Sequence, residues 1–223
     1  MNKDSLENIF QLNEKVVVIT GAAGLLGRRH AEAVASFGGI PVLLDLDNTP
    51  VKKLAEDLKN RYCVPAKGMV VDITNENSVA LSCKQLAKEF GSIYGLVNNA
   101  ANNPKIEDSE KKKFSRLENF PLDVWNQDVA VGMTGAFLCA KHFGNAIASD
   151  SKGGSIINIS SDLGLIAPDQ RLYLKKDVPA EDQSVKPVTY SVVKAGLIGL
   201  TRYLSTYWAD KGVRCNALCP GGV

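Results

Sequence analysis

Apolar, β-branched runs recur along the chain as short bursts: Val16–Thr20, Ile40–Leu44, Met69–Ile73, Ile93–Val97, Ile156–Ile159 and Val213–Leu218. Each has the length of a strand and a Gly, Asp or Asn close to its end. Between them the apolar positions fall at helical spacing, over Leu26 to Phe37, Val51 to Asn60, Ser78 to Phe90, Leu122 to Ile147 and Val188 to Ala209. The strand runs lack the in/out alternation of a half-solvated sheet, so they predict strands buried on both faces. Alternating β and α elements then predict an α/β fold: a doubly wound, mostly parallel sheet with helices on both faces. Ligands are expected beyond the carboxyl ends of such strands.

Two stretches interrupt the rhythm. Asn103 to Pro121 carries Glu107, Asp108, Glu110, Lys111, Lys112, Lys113 and Arg116, the composition of a solvated loop or short exposed helix. Ile166 to Pro187 holds three prolines and many charges, and is longer than the ~2–6 residues usual between strand and helix. Both read as insertions, about 103–121 and 166–187, in one domain spanning 1–223.

Composition removes several classes of function. Apolar residues are 45% and charged residues 22% of the 223 positions, ordinary values for a folded domain. The net charge of +2 makes no electrostatic case for nucleic acid. Five cysteines, Cys63, Cys83, Cys139, Cys215 and Cys219, form no C-x-x-C pair and read as reduced thiols of a cytoplasmic protein. With His30 and His142 as the only histidines, no metal site is expected. Uncharged runs stop near a dozen residues, short of the ~18 that span a bilayer. The polar residues Met1 to Gln11 contain no signal-peptide core.

The chemistry concentrates at two places. Strand 16–20 runs into Gly21-Ala-Ala-Gly24-Leu25-Leu26-Gly27 and then a helical segment. Glycines there allow a tight turn and a close backbone approach, leaving helix N-terminal N–H groups to hold a pyrophosphate; a mere strand-to-helix turn is the plainer reading. Asp45 ends the second strand about 24 residues later, where a carboxylate accepts both hydroxyls of an adenine ribose. A 2′-phosphate would meet like-charge repulsion of ~1–4 kcal/mol, and Leu46 offers no compensating cation, so NAD is expected over NADP. Arg28 and Arg29 stand in the first helical turn as a solvated face, with steering of a pyrophosphate as the alternative.

Further on, Tyr190-Ser-Val-Val-Lys194 puts a phenol and an ammonium at i and i+4 on one helix face. A nearby cation favours phenolate and draws a tyrosine toward the range of general acid/base catalysis. Ser160 and Ser161 end the fifth strand run, positioned to hold a substrate oxygen or to cap the next element.

These pieces together resemble the short-chain dehydrogenase/reductase family over nearly the whole chain: Thr20-Gly21 to Gly27, Asp72-Ile73, Asn98-Asn99-Ala100-Ala101, Ser161, Tyr190 with Lys194, and Cys219-Pro220-Gly221. The resemblance implies a Rossmann-like dinucleotide-binding domain and hydride transfer between a nicotinamide cofactor and an alcohol or carbonyl. It implies Tyr190 as general acid/base, Ser161 as the holder of the substrate oxygen, and Lys194 as binder of the nicotinamide ribose and member of a proton relay. Asp72 and Ile73 would meet the adenine, Asn99, Ala100 and Ala101 the cofactor's ribose, and Pro220 with Gly221 the nicotinamide. It also implies a homodimer or homotetramer joined through the long helices at 122–147 and 188–209.

The sequence departs from the family pattern in three respects. The middle glycine of T-G-x-x-x-G-x-G is replaced by Leu25, with Gly24 beside it to take over the close approach. The relay asparagine falls at Gly132, which keeps a backbone carbonyl and eases a helix kink, so the relay is expected to run through that carbonyl and a water; close helix packing is the alternative. The spacing from Ser161 to Tyr190 is widened by the insertion 166–187, which is expected to overhang the substrate pocket, with Asp162, Arg171 and Tyr173 as contacts. The chain ends on the turn at 219–223, whereas the family continues through a helical substrate lid and a seventh strand, ~25–30 residues. That strand and lid are expected to be missing here.

The expectation that follows is an NAD-dependent oxidoreductase acting on the hydroxyl or ketone of a small polar substrate. The polar insertions point to a sugar or sugar derivative, and some members of the family serve surface- or flagellar-glycan pathways. A reading from another class is an NAD-binding sensor of the same fold with little turnover.

Overall fold

The computed structural model describes residues 9–102, 115–150 and 152–221. Six strands form one parallel sheet in the order β3-β2-β1-β4-β5-β6: β1 (Val16–Thr20), β2 (Ile40–Asp45), β3 (Lys67–Val70), β4 (Gly95–Asn98), β5 (Gly154–Ile159) and β6 (Val213–Leu218). The connecting helices are α1 (Leu25–Ser36), α2 (Asn48–Tyr62), α3 (Glu76–Phe90), α4 (122–149) and α5 (Val188–Tyr207).

Successive residues of β1 enter different cores. Val16 and Val18 belong to the cluster that packs on α3, α4 and α5 through Val79, Leu86, Phe143 and Leu204. Val17 and Ile19 belong to the cluster that packs on α1 and α2 through Ala31, Val34, Leu54 and Leu58. A strand covered on both faces must be apolar at every position, which is why its sequence shows no alternation. The expected doubly wound Rossmann-like fold is therefore the observed one. Chain order reverses between β1 and β4, which opens a crevice at their carboxyl ends.

Two elements differ from expectation. The run 69–73 predicts a strand, yet the ladder of β3 is Lys67–Val70. Val71 still donates its N–H to the Asp45 carbonyl, and Val71 and Ile73 are buried, but Asp72 Oδ1 accepts from the Thr74 N–H and hydroxyl and turns the chain away. The apolar run marks burial beyond the end of pairing. The second difference lies in α4, which is interrupted by π-helical turns at Ala130–Thr134 and Ala140–Gly144. Each holds a buried glycine against α5 or its end: a Cβ on Gly132 would stand 2.4 Å from Val193 Cγ1, and one on Gly144 2.6 Å from the Trp208 ring.

Of the insertion at 103–121, residues 103–114 lie outside the described residues. Its remainder meets the other insertion. Val185 N–H donates to Ser115 Oγ, and Arg116 Nη1 to the Ala180 carbonyl. Within 166–187, Gln183 bonds both the N–H and the carbonyl of Lys175 and the carbonyl of Val178. Three side-chain bonds from one buried residue give this irregular segment a defined path. No helix among the described residues is long and apolar enough to cross a membrane.

Candidate active site

The turn after β1 is shaped by residues at the end of β4. Thr20 Oγ1 accepts from the N–H groups of Asn99 and Ala100, while Asn99 Nδ2 donates to the carbonyls of Thr20 and Gly21. Gly21 has φ +61°, and a Cβ there would lie 2.8 Å from Ala100 Cα. Only glycine meets both demands. Gly27 is buried one helical turn on, and its Cβ would strike the Gly21 carbonyl at 2.2 Å, so α1 starts in direct contact with the turn. Gly24 precedes α1 without any side-chain cap, leaving the first N–H groups of the helix for another acceptor.

Beside this turn lies a cavity of about 480 Å³, within the range of small-molecule sites. Gly21, Gly24, Leu25, Leu26, Asp45, Asp72, Ile73, Asn99, Ala100 and Ala101 all line it. Gly27 does not; it is the packing glycine behind the turn. Asp45 Oδ2 accepts the Ala23 N–H at 2.9 Å and Oδ1 the Leu46 N–H at 2.8 Å, so its carboxylate ties the end of β2 to the glycine turn. Arg28 Nε donates to the Ala23 carbonyl and Arg29 pairs with Glu32, the solvated-face reading of these cations. The uncapped helix start, the glycine cradle and a carboxylate lining the same cavity fit a dinucleotide.

The second group of residues stands where β5 and β6 end and α5 begins. Tyr190 and Lys194 share α5, one turn apart. Lys194 is buried, its Nζ donates to the Ile159 carbonyl at 2.7 Å, and it lies 5.7 Å from the Tyr190 ring centre. Burial, and then the charge of Lys186, push the Lys194 ammonium down to about 8, with Cys219 opposing. Ser161 caps a short turn, accepting from the Leu163 N–H, and donates its hydroxyl to Asp162 Oδ1 at 2.7 Å. Ser160 instead donates to the Lys194 carbonyl, which leaves Ser161 as the serine beside the site. Pro220 joins the group through its carbonyl, which accepts from the Asp162 N–H, and a Cβ on Gly221 would lie 3.8 Å from Asp162 Oδ2.

Gly132 sits in a π turn of α4 and packs closely on Val193, the neighbour of Lys194, as the packing reading of its position expects. Asp128 on α4 accepts from the Thr189 hydroxyl, a second tie between these helices. Asp162 stands beside Ser161 and accepts from its hydroxyl, and burial and then the neighbouring Tyr190 and Asp162 push the Tyr173 phenol up. The Arg171 side chain is 85% exposed and paired with Asp169, which makes the expected pocket contact at 171 a surface ion pair.

Sequence reasoning missed Lys186. Its Nζ lies 3.6 Å from the Tyr190 ring centre, closer than Lys194, and its ammonium is pushed down by burial against the opposing charge of Asp162. Lys186 and Tyr190 stand four apart, but Pro187 caps α5 and leaves Lys186 in the loop, so the pair is not a helix-face pair.

Comparison with known proteins matches a family model described as short chain dehydrogenase over residues 15–172, and one described as Enoyl-(Acyl carrier protein) reductase over 178–223. The chain is 28% identical over 216 residues to D-threitol dehydrogenase of Mycolicibacterium smegmatis, covering 97% of this chain and 73% of that protein. It is 30% identical over 209 residues to a short-chain type dehydrogenase/reductase of Sinorhizobium fredii, covering 94% of this chain and 32% of that longer protein. Among solved structures, an NAD+-bound xylitol dehydrogenase superposes with a TM-score of 0.78 at 25% identity, covering 94% of this chain and 71% of the other.

Proposed function

The chain belongs to the short-chain dehydrogenase/reductase family, and from that premise we propose that it is an NAD-dependent oxidoreductase acting on the CH–OH or carbonyl group of a small polar substrate of the polyol or sugar class. The observation that carries the reading is that Lys194, beside Tyr190 on α5, bonds the carbonyl at the end of β5 next to Ser160 and Ser161, at the same carboxyl edge of the sheet as the uncapped glycine turn after β1. The names of the threitol and xylitol enzymes among its relatives support the substrate class.

In this proposal Gly21, Gly24, Leu25, Leu26 and Gly27 form the pyrophosphate turn. Asp45 accepts the ribose hydroxyls, Asp72 and Ile73 border the adenine, Asn99, Ala100 and Ala101 follow the second ribose, and Pro220 with Gly221 faces the nicotinamide. When bound, NAD supplies the hydride acceptor, or in its reduced form the donor. Tyr190 takes the proton from the substrate hydroxyl, or returns it to a carbonyl oxygen, at its phenol oxygen. Ser161 turns its hydroxyl from Asp162 to that substrate oxygen and holds it in reach of the phenol. Lys194 holds positive charge behind the tyrosine and binds the nicotinamide ribose. The Gly132 carbonyl, through a water, connects Lys194 to solvent for the proton.

Residues 1–223 act in this reading as one dinucleotide-binding domain of a cytoplasmic homodimer or homotetramer. Phe137 on α4 and Val192, Tyr203 and Tyr207 on α5 are exposed apolar side chains suited to such an interface. The experiment that tests the function incubates the protein with NAD and a panel of polyols, sugars and hydroxy acids, reading the absorbance of reduced nicotinamide. Turnover of at least one is expected; no turnover across the panel in either direction, despite saturable NAD binding, overturns the enzymatic reading.

A further inference from the structure

Lys186 has a built position and no assigned task. Its backbone N–H donates to Gln170 Oε1 at 2.9 Å, and Pro187 follows at the start of α5, so both sides of the residue are fixed. Its ammonium rests on the ring of Tyr190. An aromatic face engages one direction of an ammonium that has three donors. Among the described residues no carboxylate lies within ion-pair distance of Nζ. The nearest acidic influence is Asp162, whose Oδ1 already accepts from Ser161 Oγ and the Leu163 N–H.

The charges facing this point are Lys186 and Lys194 as cations and Asp162 as the anion, with the phenols of Tyr173 and Tyr190 and the thiol of Cys219 between them. Among the described residues the charges around the Tyr190 phenol therefore sum to one positive. A partly desolvated cation without a full counter-charge gains from any anionic oxygen brought to it, and a carboxylate or phosphate accepts such hydrogen bonds at about twice the strength of a neutral acceptor.

We infer that Lys186 is a specificity-determining residue that grips an anionic oxygen group of the substrate, so that the preferred substrate is a polyhydroxy acid or a polyol phosphate ester and not a neutral polyol. The inference rests on the reading of Tyr190 as the residue that meets the substrate hydroxyl. The ammonium then lies over the face of the ring whose edge carries the reacting oxygen, and a carboxylate or phosphate close to the carbinol carbon comes within its reach. The insertion 166–187 carries Lys186 and holds it through Gln170, which gives the extra residues a task in substrate selection.

The test uses the full chain. Calorimetric titration with NAD comes first, since failure to bind it overturns the proposed function itself. With reduced cofactor present, which does not react with an alcohol, binding of glycerol, glycerate and glycerol 3-phosphate is compared, and likewise D-threitol and threonate. At least one anion is expected to bind about tenfold tighter than its neutral parent, the worth of one charge-assisted hydrogen bond. K186M abolishes that preference, K186R keeps most of it, and K176M, which removes the same charge from an exposed position of the insertion, leaves it intact. The stronger of the carboxylate and phosphate arms identifies the group. Equal affinity for anions and neutral parents, no saturable anion binding, or an undiminished preference in K186M each overturns the inference while the NAD result stands.

Discussion

Replacing Asp45 by asparagine separates charge from shape at the proposed ribose site. The carboxylate lines the cavity and its Oδ2 accepts the Ala23 N–H at 2.9 Å. An asparagine oxygen can take over that bond, so the glycine turn keeps its tie to β2, while the negative charge and the exposed Leu46 N–H bond to Oδ1 are lost. Two unit charges 4 Å apart repel by about 1 kcal/mol at bulk dielectric and about 4 kcal/mol at the effective dielectric of a protein surface, which corresponds to about 5- to 1,000-fold in affinity. The 2′-phosphate of NADP is such a partner for Asp45, and NAD lacks it. D45N is therefore expected to lower the ratio of the NADP to the NAD dissociation constant by at least about fivefold. Part of that change is a weaker grip on NAD, because a carboxamide offers one acceptor where the carboxylate offers two. The ratio is measured by titrating wild type and D45N with each reduced cofactor and following nicotinamide fluorescence. The same repulsion predicts that the wild-type ratio shrinks as salt rises, because mobile ions screen an exposed charge pair. A ratio that stays within twofold between wild type and D45N, with NAD still bound, refutes the reasoning.

Two further predictions follow from the contacts of α5. Lys194, pushed down to about 8, is charged in the folded protein only below that value, whereas the unfolded chain keeps its lysine charged to about 10.5. Between those values the unfolded state binds more protons, so the penalty of burying the charge is fully present below pH 8 and is relieved as pH rises toward 10.5. Unfolding free energy relative to K194M is expected to rise by a few kcal/mol, about 3, across that window in urea titrations; a difference that is flat with pH contradicts the cause. Gly132→Ala drives a methyl into Val193 Cγ1, at 2.4 Å for an unrelaxed backbone, and overpacking of this kind costs about 1–3 kcal/mol. V193A in the same chain is expected to restore most of the loss, which thermal unfolding of the single and double variants measures; a double variant no more stable than G132A shows that the contact is not the reason for the glycine.

Most of the architecture is legible in the chain because burial on both faces writes itself as uninterrupted apolar runs. β1 and β6 fall where the runs fall, and the helices differ at their ends by only a few residues. The exception, β3, shows the limit of that signal: Val71 and Ile73 are apolar because they are buried, not because they pair. The glycine turn was readable because Gly21, Gly24 and Gly27 act within one local segment. Its second half, the Thr20–Asn99 clasp and the Asp45–Ala23 bond, joins residues at separations of 79 and 22 positions and left no local pattern. Lys186 is only four positions from Tyr190, but it lies before α5 in an insertion whose path is held by Gln183 and Gln170, so no helix-face pattern marks it. Arg171, chosen for its charge within that insertion, found Asp169 two residues away instead. The π turns of α4 were signalled only by glycines, Gly132 and Gly144, whose partners on the other helix are not visible from the sequence.

In the proposed function Tyr190 is the acid/base of an NAD-dependent enzyme, and the Tyr190→Phe variant tests that role most directly. Phenylalanine keeps the ring that Lys186 and Lys194 face and removes only the hydroxyl. Turnover of the substrate found in the panel is expected to fall by about 100- to 10,000-fold, the usual contribution of a positioned general acid/base, with the NAD dissociation constant within about twofold of wild type. Turnover that survives the substitution would contradict the account and leave the fold serving NAD binding, or another catalytic group, in its place.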